Sequence, residues 1–392
     1  TLTGATGLTT AGMMQTWNML GLDFAYTWWL SSGNTRPFLR SEYSTTIVNA
    51  HQLQLMALNL AASYTLGADI NMAELAKSSG MWNTATGFVP VGGYGYFFRG
   101  RFDGLGHTIT DLHINRPLQD YVGLFGVIFS GVSVGNVGLI GGSVTAHDYV
   151  GSLVGGIYKG TVSNAYATGS VSGENYIGGL VGGSRKGLLI NSYATGAVNG
   201  TNYIGGLLGG STKGSIINSY ATGNVSGTGT VISLSELGGF VGGLVGGKVK
   251  GSIAQSYATG NVSGGFAVGG LVGVNKKGSI VNAYATGDVS GTDSVGGLIG
   301  AVYKGAITNT YAAGSVTGTT TVGGFIGYNG GKVSGSYWDT TTSGTLTGIG
   351  GGNIIGASGV PTNQMMQQAT FVGWDFANIW EITEGVTYPT LQ

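Results

Sequence analysis

The phrase Ile177-Gly-Gly-Leu-Val-Gly182, followed by Asn191-Ser-Tyr-Ala-Thr-Gly196, decides the fold because both halves return at a fixed distance. The first half recurs at 204–209, 241–246, 268–273, 295–300 and, with Phe for Leu, 322–327. The second is marked by Tyr166, Tyr193, Tyr220, Tyr257, Tyr284 and Tyr311, with successive spacings of 27, 27, 37, 27 and 27. Only the stretch 228–237 breaks step, by ten residues. A constant period of this length means one supersecondary unit stacked on copies of itself. The chain reads as a rod, and its function must be one that a rod can perform.

Composition agrees. Disorder requires low hydrophobicity and high charge, but apolar residues reach 42% and charged ones only 8%. Glycine is 79 of 392 residues, yet it does not fall at every third position and there are five prolines, so collagen is excluded. Zero formal net charge argues against a general nucleic-acid binder. Without cysteine, stability rests on stacking rather than cross-links. No apolar run is long enough to span a membrane. Thr1-Leu-Thr-Gly-Ala-Thr-Gly7 lacks a charged n-region and an apolar h-region, so it reads as an internal cut through a longer protein.

Each unit alternates short β-prone runs with glycine-bearing corners, too glycine-rich for helix at a cost of roughly 1 kcal/mol per glycine. Three strands and three corners per period are expected, which is one turn of a right-handed parallel β-helix. Turns about 4.8 Å apart would make roughly nine turns a rod on the order of 40 Å long. Val162, Leu189, Ile216, Ile253, Ile280 and Ile307 should form one column of the bore, and Leu180, Leu207, Leu244, Leu271 and Leu298 another. Asn164, Asn191, Asn218, Gln255, Asn282 and Asn309 form a third column, read as a structural amide ladder at a bend. The tyrosines read as a packing stripe.

Four regions are expected. Residues 1–40 close a preceding unit. Residues 41–100 form an N-terminal cap with a short helix over 49–62, N-capped by Asn49, and a strand-like stretch over 64–70. The β-helix occupies 101–345, its first full turn within 98–114, and 346–392 is a closing segment. The first and last regions align without a gap at an offset of 352: Gly4-Ala-Thr-Gly7 with Gly356-Ala-Ser-Gly359, Met13-Met-Gln15 with Met365-Met-Gln367, and Trp28 with Trp380. A tandem array repeating at about that offset follows as an expectation.

Val-Gly-Gly-Leu-Val-Gly, Asn-Ser-Tyr-Ala-Thr-Gly and Val-Ser-Gly resemble the GLUG motif of large bacterial surface proteins. Among these are filamentous-haemagglutinin-like adhesins of two-partner secretion and the non-catalytic parts of some immunoglobulin A proteases. The flanks Phe102-Asp-Gly-Leu-Gly-His-Thr-Ile109, Ser336-Tyr-Trp-Asp339 and Gly373-Trp-Asp-Phe376 are similar to phrases that border such repeats. The resemblance implies an extracellular or bacterial cell-surface location and a structural or adhesive role. It carries no activity, because fold does not fix function.

Chemistry has little to work with. Between 159 and 332 the acids are Glu174, Glu236, Asp288 and Asp293, none sharing a column with another at adjacent turns, whereas glycosidic work needs carboxylates about 5 to 10 Å apart. Asp103, His107, Asp111 and His113 are the best acid/base grouping, with turn hydrogen bonds as the plainer reading. His51 and His147 have no partner suggested by spacing. No catalytic, cofactor or metal site is expected, and the chain is not read as an enzyme. Lys159, Lys186, Lys213, Lys250, Lys277, Lys304 and Lys332 are expected at one corner of successive turns, with Arg185, Lys248 and Lys276 nearby. This stretch carries ten basic and four acidic residues, a net +6. The stripe either keeps the rod soluble or holds polyanions such as sulfated or sialylated glycans. The expected function is a rigid stalk or filament unit in adhesion or extracellular assembly, with a glycan- or polyanion-binding module as the alternative. Expected partners are neighbouring copies of the unit and host or bacterial surface glycans, with no nucleic acid.

Overall fold

In the computed structural model, which describes residues 7–229, 238–248 and 250–392, the chain is an all-β parallel solenoid. Each turn lies in register on the next, and the first column runs Val162, Leu189, Ile216, Ile253, Ile280, Ile307. Leu180, Leu207, Leu244, Leu271 and Leu298 are fully buried in the same bore. Each buried aliphatic of this kind stabilises by about 1.5 to 3 kcal/mol.

A turn has four strands rather than the expected three. One turn comprises Thr161–Ala167, Ser170–Ser172, Asn175–Gly178 and Val181–Arg185, and each strand builds its own face. The fourth face has nine rungs among the described residues. The Gly-Gly pair splits the glycine phrase into two strands. A Cβ at Gly206 would lie 2.1 Å from the carbonyl oxygen of Gly243 on the next turn, so only glycine allows that corner to stack.

The Asn-Ser-Tyr phrase makes a bend within the first face. Asn191 takes a left-handed φ of 50°, a conformation that asparagine tolerates better than most residues. Ser192 Oγ then accepts from Ala165 N at 3.3 Å and donates to Ile190 O at 2.9 Å, satisfying backbone groups that the bend strands. The ten-residue insertion leaves the ladder intact, since Ile204 pairs with Val241. Residues 230–237, which hold most of the expected break and Glu236, lie outside the described residues, as does Gly4-Ala-Thr6.

Helix α1 is Ala50–Leu55, and Asn49 caps it by accepting from Gln52 N. It ends well short of residue 62: a 3-10 turn, Met56–Leu58, follows, and Asn59 then turns the chain by accepting from Ala61 N. The stretch 64–70 divides into Tyr64–Leu66 and Ile70–Asn71. Two expected boundaries move. Thr46–Ile47 already pairs in parallel with Tyr64–Leu66, so the region expected as cap supplies rungs. At the far end Ala357–Val360 still pairs with Ser336–Asp339, beyond residue 345.

The terminal segments share one fold. Trp28 pairs with Leu39 and Trp380 with Leu391, both antiparallel, and the offset between the two pairs is the same in each strand. The turn bonds repeat as well: Trp28 N donates to Asp23 O and Trp380 N to Asp375 O, while Gly33 N donates to Met14 O and Gly385 N to Met366 O. Their burial differs. Trp380, Trp374, Phe371 and Met365 are buried against Tyr284 and Tyr311, and Tyr311 Oη donates to Pro389 O at 2.7 Å. The equivalent positions Trp28, Leu22, Met19 and Met13 are only half-buried. The first segment is instead tethered through its opposite side: Phe38 packs on Trp82, and Arg36 donates to Ser78 O and Ser79 O.

Candidate functional site

The amide column begins earlier than expected. Asn136 Nδ2 donates to Asp103 Oδ1, Asn164 to Asn136 and Asn191 to Asn164, at 2.9 to 3.1 Å. Asn218, Gln255, Asn282 and Asn309 keep the left-handed bend at φ 46 to 51°. Asp103 is thus the first rung of a ladder. The Asn136 amide, helped by Leu105 N–H and Arg101, holds its carboxyl below the usual range against the opposing effect of burial. The other members of that grouping turn elsewhere: His107 meets Asp69 at 3.2 Å, His113 meets Ser143 Oγ at 3.0 Å, and Asp111 occupies a left-handed corner. The four do not converge.

Both remaining histidines have partners: those of His51 are off the repeat period, whereas Asp120 and Glu174 stand 27 residues to either side of His147, a signal the sequence carried. His51 bridges Glu42 and Glu74 at 2.9 and 3.2 Å. His147 reaches Asp120 at 2.7 Å through Nδ1 and Glu174 at 3.0 Å through Nε2, tying together three successive turns at the surface. The bond to Asp120, with Asp148 and Glu174 adding, raises the affinity of His147 for its proton.

Lys159, Lys186, Lys213, Lys250, Lys277 and Lys304 are exposed. Register places them in one column, two residues before the paired positions Thr161, Leu188, Ser215, Ser252, Ser279 and Ala306. Lys332 does not belong to it. It pairs with Ala306, because this turn is one residue shorter than the common 27-residue period, and this puts it two places further along the strand. Lys248 is not at the surface either. It is fully buried, donating to Gly214 O at 3.0 Å and Ser252 O at 3.3 Å, and burial lowers its pKa to about 8.

Beside the lysine column runs a groove of about 600 Å³ along the fourth face. One wall is a second tyrosine ladder, Tyr94, Tyr121, Tyr149, Tyr176 and Tyr203, with ring centroids 4.4 to 5.2 Å apart. The opposite wall starts as stacked Phe97, Phe129 and Tyr158. It continues in the same column as Arg185, whose guanidinium lies 5.3 Å from the Tyr158 ring, and then Thr212. The floor is Gly156, Gly183, Gly210 and Gly247. A Cβ at Gly210 would come within 2.7 Å of the Tyr176 ring edge, so the ring fits against the floor only over glycine. Burial raises the pKa of Tyr121, Tyr149, Tyr176 and Tyr203, to about 12 at Tyr203, and keeps these phenols protonated as donors.

The GLUG motif model matches residues 200–226, 233–263 and 264–290, so the chain carries a GLUG repeat region. A stretch of 109 residues is 41% identical to halomucin of Haloquadratum walsbyi, covering 27% of this chain and 1% of that protein. A stretch of 81 residues is 40% identical to a Gly-rich membrane protein of Evansella cellulosilytica, covering 20% of this chain and 9% of that one. The chain thus spans a small fraction of the relatives it matches. An IgA1 protease structure superimposes with a TM-score of 0.40 at 16% identity, over 75% of this chain and 21% of the other. Among the described residues, no helix is long and apolar enough to cross a membrane.

Proposed function

We propose that this chain is a structural module of a large cell-surface or extracellular protein, joined to further copies of itself end to end as a stiff spacer. The observation that carries the reading is the pair of matching terminal hairpins. The second sits on the tyrosine rungs of its own solenoid, while the first presents the equivalent face without such rungs. In an array, residues 7–40 would lie on the preceding solenoid as 361–392 lie on this one. Their opposite side is already fixed to this unit through Phe38 and Arg36, which would make the junction rigid. The relatives, one named a halomucin and one a membrane protein, support a surface setting for a short repeat block within a much longer chain. Neither is named as a two-partner-secretion adhesin, so the proposal stays with the coarser class. An adhesive role would belong to regions that the module spaces apart. The test is small-angle scattering from two units joined so that the hairpin of the first is shared with the start of the second. A maximum dimension close to twice that of one unit, from a single rigid rod, is expected. A flexible pair with independent orientations would refute the array.

A further inference from the structure

The groove on the fourth face has features that a spacer does not need. Tyr121, Tyr149, Tyr176 and Tyr203 occupy a left-handed corner at φ 56 to 59°, and Ala267, Ser294 and Thr321 further along do so at φ 46 to 54°, so the corner itself belongs to the fold. What changes along the rod is its occupant. From Tyr121 through Tyr203 the column is tyrosine and the floor beneath it is glycine. Beyond Tyr203 the column passes to Phe240 and then Ala267, the floor becomes Val274 and Ala301, and the groove is filled by a buried apolar cluster. The open part is therefore confined to one end. An open aromatic cleft edged by cations is the form of a ligand site, whereas packing alone is served by the filled version.

We propose that this groove binds one segment of a linear acidic polysaccharide lying along the rod axis. Three features select that ligand. First, donors repeat with the rungs, since each turn offers a phenol about 4.5 Å from the last, in step with successive rings of a sugar chain. An extended peptide repeats its side chains on one face only every ~6.6 Å, out of step with that spacing. Second, the tyrosine faces are already stacked on one another, leaving edges and hydroxyls to the groove. Bases need open ring faces, so single-stranded nucleic acid is a poor fit. Third, the described lining contains Arg185 and Lys276 but no carboxylate, and the exposed column of Lys159, Lys186 and Lys213 borders the same wall. Carboxylates or sulfates at regular intervals would meet this edge, while ring hydroxyls would meet the tyrosines and Thr212. This goes beyond the spacer role and does not depend on it.

The test is calorimetric titration of the whole chain with defined oligogalacturonates, heparin fragments and neutral malto-oligosaccharides. Binding of an acidic oligosaccharide and none of the neutral one is expected. Tyr149→Phe with Tyr176→Phe keeps the stacked rings and removes two hydroxyls, and this pair should weaken binding about tenfold. Arg185→Gln with Lys276→Gln should weaken it by a similar factor. Lys213→Ser with Lys250→Ser and Lys277→Ser should reduce it by less. No binding of either acidic class, equal binding of the neutral sugar, or binding lost with the three lysines yet untouched by the tyrosine pair would each overturn the assignment.

Discussion

Replacing Lys248 by methionine tests how the bore treats charge. The ammonium is fully buried, and its pKa falls from the ordinary 10.5 to about 8 because of burial alone. Between those values the unfolded chain holds a proton that the folded chain has released, so wild-type stability climbs as pH rises. The cost of the charge is complete below about 8 and absent above 10.5. At about 1.4 kcal/mol per pKa unit, the gap makes roughly 3 kcal/mol. Against this stand two hydrogen bonds, to Gly214 O and Ser252 O, which the thioether cannot replace. Charged donors contribute about 1.5 to 3 kcal/mol per bond, so the net effect at pH 7 is close to balance. The discriminating quantity is the change with pH. The stability of K248M relative to wild type should fall by roughly 3 kcal/mol between pH 7 and 10.5. Urea midpoints at matched m-values measure it. A difference that stays constant over that range would refute the reasoning, because it would mean that the ammonium is solvated.

Three further outcomes follow from the packing. Leu207→Ala opens a cavity in the bore and should lower stability by about 2 to 5 kcal/mol in urea titration. Asn191→Ala should cost about 1 to 2 kcal/mol through the left-handed bend, with the lost rung bond to Asn164 in addition. Asn191→Gly should cost less, and equal losses would remove the bend from the explanation. Trp380→Ala should free the closing hairpin from Tyr284 and Tyr311, and a protease should then cut selectively within residues 361–392.

The repeats were legible because the same residues return to the same places. Leu180, Leu207 and Leu244 could be stacked by counting, since no side chain had to be weighed against another. Counting failed where the turn length changed. Lys332 looked like the seventh lysine of a column, but a shortened turn moves it off. The number of strands was misjudged because Gly178-Gly179 reads as one flexible phrase, and only packing shows it as a corner between two faces. Lys248 read as a surface charge because the chain around it has the polarity of a corner. Register sets it instead in the column of Ser184, Ser211 and Asn275, which points inward. The groove was missed for a similar reason. Tyr149, Tyr176 and Tyr203 keep the common period, but Tyr121 stands one place too far from Tyr149 and the column then passes to Phe240, so the pattern is too short to announce itself. The terminal homology was visible in sequence, whereas the difference in burial between its two copies was not.

The parallel register also governs how such a chain can be made. Among the described residues each solenoid strand pairs with one a single turn back, so no rung there waits for a distant partner. A chain emerging end first, from a ribosome or through a pore, could lay down turns as fast as it appears. The turn already formed would serve as the seed for the next, and growth in one direction would draw the chain forward as it folds.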